Sequence, residues 1–243
     1  MALYKLADLV IELKNEYDFL AKQCAEYRYE GNASAELSVC VTHEDICRER
    51  CFSAEINYPV GYLESICACR KLCVELPGYD GFLLHGSVID CGGKGIAFLA
   101  RSGVGKTTHT MLWKQVYGEK VRIINGDKPI VRFFDGVPYA YGTPWAGKEN
   151  LQCNDRVPLT DICFIERSSD NQVLPVRPEE CLAAVMQQIL IPSEPMMASR
   201  TLTLLDGLLS TCRLWVIRCN RSQDAAILAH DTILGESNHE AEI

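Results

Sequence analysis

The stretch Ala100-Arg-Ser-Gly-Val-Gly-Lys-Thr-Thr108 is the most distinctive segment of this 243-residue chain. It follows the G-x-x-x-x-G-K-[ST] pattern of a phosphate-binding loop, except that Ala100 stands where the strict pattern has glycine. Gly103 and Gly105 allow the backbone to turn so that successive N–H groups point at one phosphate. A helix that begins near Lys106 would add the positive end of its dipole. The segment therefore predicts a nucleotide-binding site.

Several side chains of this stretch have predicted roles. Lys106 would contact the β- and γ-phosphates of ATP or another nucleoside triphosphate, and the Thr107 hydroxyl would ligate Mg²⁺. The predicted nucleotide-binding residues are Arg101, Ser102, Gly103, Val104, Gly105, Lys106, Thr107 and Thr108. Glycine-rich turns also precede helices in proteins that bind no ligand, so a purely structural turn is the alternative interpretation.

A carboxylate downstream of this stretch completes the predicted metal site. Nucleotide-bound Mg²⁺ usually needs a carboxylate from a nearby strand end. Asp127 ends the segment Val121–Asp127 and is the best candidate, so we expect Thr107 and Asp127 to be the metal ligands. The alternative role of Asp127 is that of a turn aspartate before Lys128 and Pro129.

The segments on either side of the glycine-rich stretch predict a mixed α/β domain. Strands are expected at Phe82–Asp90 and Ile96–Ala100, and the short Gly-rich turn between them requires an antiparallel pair. A helix is expected from Lys106 to about Val116. The later expected strands are Val121–Asn125, Ile130–Phe134, Val137–Tyr141, Leu159–Glu166, Val173–Val176 and Leu214–Cys219, and the later helices are Pro178–Leu190, Met196–Ser210 and Ser222–Leu234. The fold class is thus α/β with a mixed, antiparallel-rich sheet over residues 79–234.

Residues 1–78 are predicted to form a small α+β region. It ends where Pro77 and Gly78 interrupt regular secondary structure. The expected elements there are a strand at Ala2–Leu13, a helix at Tyr17–Tyr29, a strand at Glu36–Val41, and helices at His43–Glu49 and Tyr62–Leu76. The acidic residues 235–243 are expected to form a flexible tail.

Composition narrows the classes of function. Apolar residues make up 48% and charged residues 23% of the chain, as in soluble globular proteins. A formal net charge of −8 disfavours nucleic acid as a partner. No uncharged apolar run is long enough to cross a membrane, and the N-terminal residues lack the features of a signal peptide. These features predict a cytoplasmic protein without a membrane partner.

The cysteines allow two interpretations. Their number, 13, is odd, and several lie in apolar contexts, which favours reduced and buried thiols. The densest cluster is Cys47, Cys51, Cys67, Cys69 and Cys73, which could bind a metal or pack in the core. Its spacing matches no paired C-x₂-C unit, so core packing is the favoured interpretation.

Three short motifs resemble those of a known superfamily. They are His85-Gly-Ser-Val-Ile-Asp90, Ser102-Gly-Val-Gly-Lys-Thr107 and Asn125-Gly-Asp127, in that order along the chain. Together they resemble the HPr kinase/phosphorylase and phosphoenolpyruvate carboxykinase superfamily, over about Gly81 to Ile130. The chain also resembles HPr-kinase-like proteins of gut Firmicutes in two further segments, Asp127-Lys-Pro129 and Tyr141–Lys148.

This resemblance implies an ATP-dependent phosphotransferase. The acceptor would be a hydroxyl group of a protein serine or of a small metabolite. Lys106 would act on the phosphates, Thr107 and Asp127 would lie near Mg²⁺, and His85 would lie beside the catalytic acidic residue. Self-association into a homo-oligomer would also be in keeping with the family.

The chain departs from the family pattern at Gly126, where the family usually has a second acidic residue. If the missing acidic residue is the general base of the family, His85 could take over that role in this chain. Alternatively, the substrate could be reactive enough to need no general base. The alternative for His85 is a core histidine that caps a strand hydrogen bond. A nucleotide-binding regulatory protein without catalysis is therefore the alternative function.

The segment Gly142–Lys148 is a further candidate for a functional loop. Trp145 could form a lid over a ligand or anchor the loop in the core, and Lys148 could neutralise charge on a transferring phosphoryl group. Lys128 and Arg156 are further candidate phosphate contacts. The predicted catalytic residues are His85, Lys106, Asp127 and Lys148.

Overall fold

The described residues form two β-sheets with helices packed against them. A computed structural model describes residues 2–52 and 56–235, so the predicted tail beyond Gly235 lies outside the described residues. The strands are β1 (Ala2–Leu6), β2 (Leu9–Lys14), β3 (Leu37–Cys40), β4 (Gly81–Leu83), β5 (Ser87–Cys91), β6 (Lys94–Leu99), β7 (Val121–Asn125), β8 (Ile130–Phe134), β9 (Val137–Tyr141), β10 (Arg156–Arg167), β11 (Gln172–Pro175) and β12 (Arg213–Cys219). The helices are α1 (Asp18–Gln23), α2 (His43–Phe52), α3 (Val60–Glu75), α4 (Lys106–Tyr117), α5 (Pro178–Met186), α6 (Pro195–Thr211) and α7 (Gln223–Gly235).

The N-terminal sheet has the order β1-β2-β3, with β1 and β2 antiparallel and β2 and β3 parallel. The prediction of one strand over Ala2–Leu13 is wrong, because the chain reverses at Ala7 and Asp8. Both residues have positive φ, at 51° and 60°, which is the geometry of a tight hairpin turn. The hairpin brings alternate side chains of both strands onto one buried face.

The predicted helix over Tyr17–Tyr29 is also wrong in extent. The helix α1 ends at Gln23, and a single 3₁₀ turn follows at Ala25–Tyr27. The chain then leaves the helical path because the Tyr29 N–H donates to the Leu3 carbonyl at 2.8 Å. Tertiary pairing with β1 thus outweighs local helix propensity.

The large sheet has the order β4-β8-β9-β10-β6-β5-β7, and β12 pairs with β10 while β11 pairs with β12. β10 is parallel to both β6 and β12, and the other pairs are antiparallel. The predicted antiparallel pair before the glycine-rich stretch is confirmed as β5 and β6. The chain is therefore a mixed α/β protein, as the sequence predicts.

The predicted strand Phe82–Asp90 is in fact two strands, β4 and β5, with a break at Leu84–Gly86. At this break the His85 N–H donates to the Gln188 carbonyl at 2.7 Å, and the Gly86 N–H donates to the Asp127 carbonyl at 2.9 Å. A Cβ on Gly86 would lie only 2.4 Å from a methyl carbon of Leu99 and 3.1 Å from the Phe98 carbonyl oxygen, so a side chain here would force Leu99 to move. The break displaces His85 from the strand and brings it next to Asp127.

Helix α4 packs behind the glycine-rich stretch through a buried aromatic cluster. Trp113 is fully buried, and its indole N–H donates to His109 Nε2 at 3.1 Å. Burial lowers the pKa of His109 to about 4, so this imidazole is neutral at physiological pH. The edge of His109 also contacts the ring of Phe98 from β6, which fixes the helix against the sheet.

The cysteine cluster divides between core and surface. Cys67, Cys69 and Cys73 are buried on α3, whereas Cys47 and Cys51 on α2 are exposed. Residues 2–52 and 56–235 contain no group of three or more His, Cys, Asp or Glu side chains that could hold a metal ion. No helix in these ranges is both long and apolar enough to cross a bilayer.

Residues from beyond position 78 complete the core of the N-terminal region. Leu83, Ile130, Tyr141 and Trp145 pack into the same hydrophobic cluster as the strands β1 and β2. Arg156 also joins the two parts of the chain, because its guanidinium donates to Asp8 at 2.7 Å and to the Tyr141 hydroxyl at 2.8 Å. These bonds occupy the guanidinium at the junction between the two parts of the chain, and the structure does not test the prediction of Arg156 as a phosphate contact.

Candidate active site

The segment between β6 and α4 is a tight loop with an open inner face. We call residues Ala100–Gly105 the glycine loop. Gly103 and Gly105 have positive φ, at 77° and 141°, and a Cβ on either one would meet no atom within 4 Å. Backbone conformation, and not crowding, therefore requires glycine at these positions. The space that remains open beside the loop is what a bound phosphate would need.

Lys106, the first residue of α4, lies across the glycine loop. Its ammonium donates to the Ala100 carbonyl at 2.9 Å, and the residue is only 9% exposed. Burial lowers the pKa of Lys106, while the nearby Asp127 carboxylate opposes that shift. Because this ammonium is largely removed from water, a hydrogen bond to an anionic phosphate oxygen would stabilise its charge.

Asp127 lies between two basic side chains. His85 Nε2 is 3.3 Å from Asp127 Oδ1, and the Lys128 ammonium contacts Asp127 Oδ2. Burial alone would raise the pKa of Asp127, but the hydrogen bonds from His85 and Lys128 outweigh it and lower the pKa to about 2. Asp127 is therefore a carboxylate at every physiological pH. The side chain of His85 is 36% exposed, so His85 is not the core histidine of the alternative interpretation.

Asn125 positions Asp127 and connects it to the next loop. Its Oδ1 accepts the backbone N–H groups of Asp127 at 2.8 Å and Lys128 at 2.7 Å. Its Nδ2 donates to Thr143, whose hydroxyl in turn donates to the Lys128 carbonyl at 2.7 Å. Asn125 is fully buried, so this network holds the Asp127 backbone rigidly at the end of β7.

A cleft of about 950 Å³ joins these groups. The predicted site residues that line it are His85, Ser102, Gly103, Gly105, Lys106, Thr107, Thr108, Asp127 and Lys148. Arg101 and Val104 belong to the glycine loop but do not line the cleft. Helix α3 forms the opposite wall, so the N-terminal region takes part in the site.

Trp145 anchors the segment Gly142–Lys148 to helix α3. It is 6% exposed, and its indole N–H donates to the Ser65 carbonyl at 3.2 Å and to the Ser65 hydroxyl at 3.0 Å. These contacts fix the Gly142–Lys148 segment against α3. Lys148 follows on the exposed part of the segment, at the rim of the cleft.

Arg167 is a site residue that sequence reasoning misses. From the end of β10 its Nε donates to the Val104 carbonyl at 2.9 Å, and its Nη2 donates to the Gly103 carbonyl. Arg167 thus holds two carbonyls of the glycine loop and fixes the conformation of its backbone. Arg167 reaches the loop because β10 pairs in parallel with β6. No local sequence motif predicts this contact.

Replacing Arg167 with alanine should weaken ADP binding by about tenfold, because two charge-assisted hydrogen bonds that hold the glycine loop are lost. Calorimetric titration with Mg²⁺ and ADP measures this change. Arg218→Ala is the matched control, since Arg218 lies on the adjacent strand β12 and pairs with Glu166 at 3.0 Å. An Arg167→Ala protein with unchanged affinity would show that the loop holds its shape alone.

Asp127 should also make stability depend on pH in the acid range. A folded pKa of about 2, below the ordinary value near 4, adds about 2 kcal/mol of stability above pH 4. This contribution is lost as the pH falls from about 4 to about 2. Urea unfolding of the wild type and of Asp127→Asn at pH 2 to 6 should therefore give curves that converge towards pH 2. Curves that stay parallel would contradict the lowered pKa.

Comparisons with known proteins find matches among solved structures only. No protein-family model matches the chain, and a search of the curated proteins finds no match. Among solved structures the chain is similar to the HPr(Ser) kinase/phosphatase from Coxiella burnetii, with 10% sequence identity and a TM-score of 0.36. The similarity covers 66% of this chain and 99% of that one. The relationship is remote, so function has to be inferred from the residues of the cleft.

Proposed function

We propose that the protein is an ATP-dependent phosphotransferase that transfers a phosphoryl group to a hydroxyl acceptor. One observation carries this proposal. The glycine loop with Lys106 and Thr107 opens into the same cleft as the paired Asp127 and His85. A phosphate-binding loop alone would account for binding, whereas a carboxylate–imidazole pair beside it supplies groups that chemistry on the phosphate needs.

The residues present fit a nucleoside triphosphate. The open inner face of the glycine loop and the N-terminus of α4 offer backbone N–H donors to the phosphates. Lys106 is already at the loop and would exchange its bond with the Ala100 carbonyl for one with a phosphate oxygen. The exposed Lys148 at the rim adds a positive charge to the cleft that would favour a triphosphate.

The residues also fit Mg²⁺ that arrives with the nucleotide. Mg²⁺ commonly uses one or two carboxylates, with water and phosphate oxygens as its other ligands. Thr107 and Asp127, which both line the cleft, would hold it. When bound, Mg²⁺ neutralises phosphate charge.

The proposal assigns the role of proton acceptor to His85. A carboxylate with a pKa of about 2 binds a proton too weakly to serve as an efficient general base. Asp127 instead positions the imidazole through the 3.3 Å contact between its Oδ1 and His85 Nε2, and Nδ1 would be the nitrogen that accepts the proton. In the proposed reaction the acceptor oxygen bonds to the terminal phosphorus while the bond to the leaving diphosphate breaks. His85 takes the hydroxyl proton.

One observation favours the non-catalytic alternative. A Cβ on Gly126 would lie 3.1 Å from the Ala146 carbonyl oxygen and 3.3 Å from Leu151 Cβ. The Gly126 N–H also donates to the Leu151 carbonyl at 2.8 Å. The loop after β9 thus fills the space that a second acidic side chain would need. Nucleotide binding without transfer is the second candidate function for this reason.

A transfer assay with γ-labelled ATP separates the two functions. Purified protein, Mg²⁺ and labelled ATP are incubated with a dialysed lysate and, separately, with a small-molecule extract. The proposal predicts label on an acceptor in one of the two fractions and none with the Lys106→Ala variant. Tight binding of ATP with no label transferred in either fraction would support the non-catalytic function instead.

A further inference from the structure

Arg70 is an exposed cation on the wall of the cleft that helix α3 forms. Its side chain is 55% exposed, and it lines the same cleft as Lys106 and His85. The guanidinium is therefore accessible to a ligand in the cleft. The groups that bind the nucleotide and take the proton in the proposed reaction come from the opposite wall, so that reaction leaves Arg70 without a role.

Glu49 of helix α2 holds the Arg70 guanidinium in place. The Nε atom of Arg70 donates to Glu49 Oε2 at 2.9 Å, and its Nη2 atom donates to Glu49 Oε1 at 3.2 Å. The Glu49 side chain is only 7% exposed, so a ligand in the cleft would meet the guanidinium and not the carboxylate. Two bonds to one carboxylate fix the plane of the guanidinium. The Nη1 atom and the second N–H of Nη2 then remain for a ligand.

The cleft carries an excess of positive charge in a chain whose formal net charge is −8. Two carboxylates line it, Asp127 and Glu149, against four cations, which are Arg70, Lys106, Lys128 and Lys148. Lys106 and Lys148 are the cations proposed to meet the nucleotide. Mg²⁺ at Asp127 would compete with the Lys128 ammonium for the carboxylate that this ammonium now contacts. Arg70 and Lys128 would then be available for a second anionic ligand.

Cys73 shows that Arg70 and Lys128 lie near the same part of the cleft. The hydrogen bond with Cys69 and burial raise the pKa of the Cys73 thiol well above its ordinary value, and the charges of Arg70 and Lys128 both oppose this rise. Cys73 itself lines the cleft, about one helical turn beyond Arg70 on α3. Charges act strongly only within about 10 Å, so both cations lie close to this thiol.

The geometry points to a phosphoryl acceptor that carries an anionic group, a carboxylate or a phosphate, in addition to its reacting hydroxyl. The Arg70 guanidinium would bind two oxygens of that group through Nη1 and Nη2. Lys128 would add a second positive charge, and its contact with Asp127 connects this part of the cleft to His85. This inference rests on the proposed function, because the anionic molecule would be the acceptor in that reaction.

A small-molecule extract that is first separated by ion exchange into anionic, neutral and cationic pools tests the class of acceptor. With Mg²⁺ and γ-labelled ATP, label should move only to a compound of the anionic pool. Label on a compound of the neutral or cationic pool, or on a protein of a dialysed lysate, would overturn the inference. No label in any fraction would contradict the proposed function, and the binding experiments below then decide on the anion site by themselves.

Three matched probes test the site without a transfer reaction. D-Glycerate carries a carboxylate, glycerol 3-phosphate carries a phosphate, and glycerol has a similar three-carbon body without a charge. Saturation-transfer NMR titrations are carried out with Mg²⁺ and ADP present, so that the phosphate site is occupied. At least one of the two anions should bind about tenfold or more tightly than glycerol, and the tighter one identifies the preferred anionic group. Anions that bind no better than glycerol would overturn the inference.

The double variant Glu49→Gln/Arg70→Met removes both charges of the pair, so no buried carboxylate is left without a partner. It should bind the preferred anion about tenfold more weakly than the wild type. The matched control is Asp45→Asn/Lys71→Met. Lys71 and Asp45 also join α3 to α2, at 2.6 Å, but they do not line the cleft. The control should bind the anion as the wild type does, and equal losses in both variants would contradict the role of Arg70.

Arg70→Lys is a second test that does not depend on the folding of the double variant. It keeps the positive charge beside Glu49 and loses the planar fork, so it should bind the preferred anion severalfold more weakly. Unchanged affinity in both Arg70 variants would overturn the inference.

Nucleotide titrations separate this inference from the proposed function. For the double variant, the loss of affinity for ADP and for a non-hydrolysable ATP analogue should be smaller than the loss for the anionic probe. A loss confined to the ATP analogue would place the guanidinium on the terminal phosphate and overturn the inference. A wild type that binds the anionic probe through Arg70 but binds no nucleotide would contradict the proposed function and leave the anion site standing.

Discussion

Replacing Lys106 with alanine should reduce the affinity for ATP and Mg²⁺ on the order of a hundredfold. The buried Lys106 donates its ammonium to the Ala100 carbonyl of the glycine loop at 2.9 Å, and it is the side chain best placed to meet the β- and γ-phosphates. A charge-assisted hydrogen bond to a buried anion contributes about 1.5–3 kcal/mol, and each 1.4 kcal/mol changes the affinity tenfold. Isothermal calorimetry on the two proteins measures the difference.

The control for this variant is Lys120→Ala. It removes the same charge from an exposed turn before β7, so it matches any general electrostatic effect on a highly charged ligand. We expect its affinity to stay within about twofold of the wild type. Equal losses in the two variants would mean that net charge alone attracts the nucleotide. No loss in Lys106→Ala would exclude the glycine loop as the phosphate site.

Replacing Asp127 with asparagine should abolish the Mg²⁺ dependence of nucleotide binding and lower phosphoryl transfer by at least about a hundredfold. The neutral amide cannot offer the anionic oxygen that Mg²⁺ prefers, and it also weakens the orientation of His85. The measurements are ATP titrations with and without Mg²⁺, together with the rate of label transfer from γ-labelled ATP.

Asp45→Asn is the matched control for Asp127→Asn. Burial alone would raise the pKa of Asp45, but Lys71 and Thr42 outweigh it and lower the pKa to about 2. Asp45 lies at the start of α2 and does not line the cleft. Both variants should lose stability to a similar extent, whereas only Asp127→Asn should lose the response to Mg²⁺. If Asp127→Asn keeps that response, another carboxylate holds the metal.

The parts of the site that depend on neighbouring residues are predictable from the sequence. The glycine loop follows from the spacing of Gly103, Gly105 and Lys106, and a short turn can only join β5 and β6 as antiparallel strands. Asp127 follows from its place at the end of a β-branched, apolar strand. In each case the signal lies within about ten residues of the chain, where periodicity and turn chemistry are strongest.

The parts that depend on distant partners are not predictable in the same way. The break that turns His85 towards Asp127 exists because the His85 N–H finds the carbonyl of Gln188, a hundred residues away. Arg167 reaches the glycine loop only because β10 runs parallel to β6. The Gln188 Oε1 atom is buried with no hydrogen-bond partner among the described residues, which is a consequence of packing that no local sequence pattern indicates. Long-range pairing of this kind outweighs local preference wherever the two compete.

In the proposed function, the glycine loop and the His85–Asp127 pair act on one bound nucleotide. A crystal structure with a non-hydrolysable ATP analogue and Mn²⁺, which anomalous scattering locates directly, tests this claim. We expect the phosphates against the backbone of Gly103 and Gly105, and the Mn²⁺ peak in coordinating contact with Thr107 and Asp127. A nucleotide bound elsewhere, or a Mn²⁺ peak remote from both residues, would contradict the account.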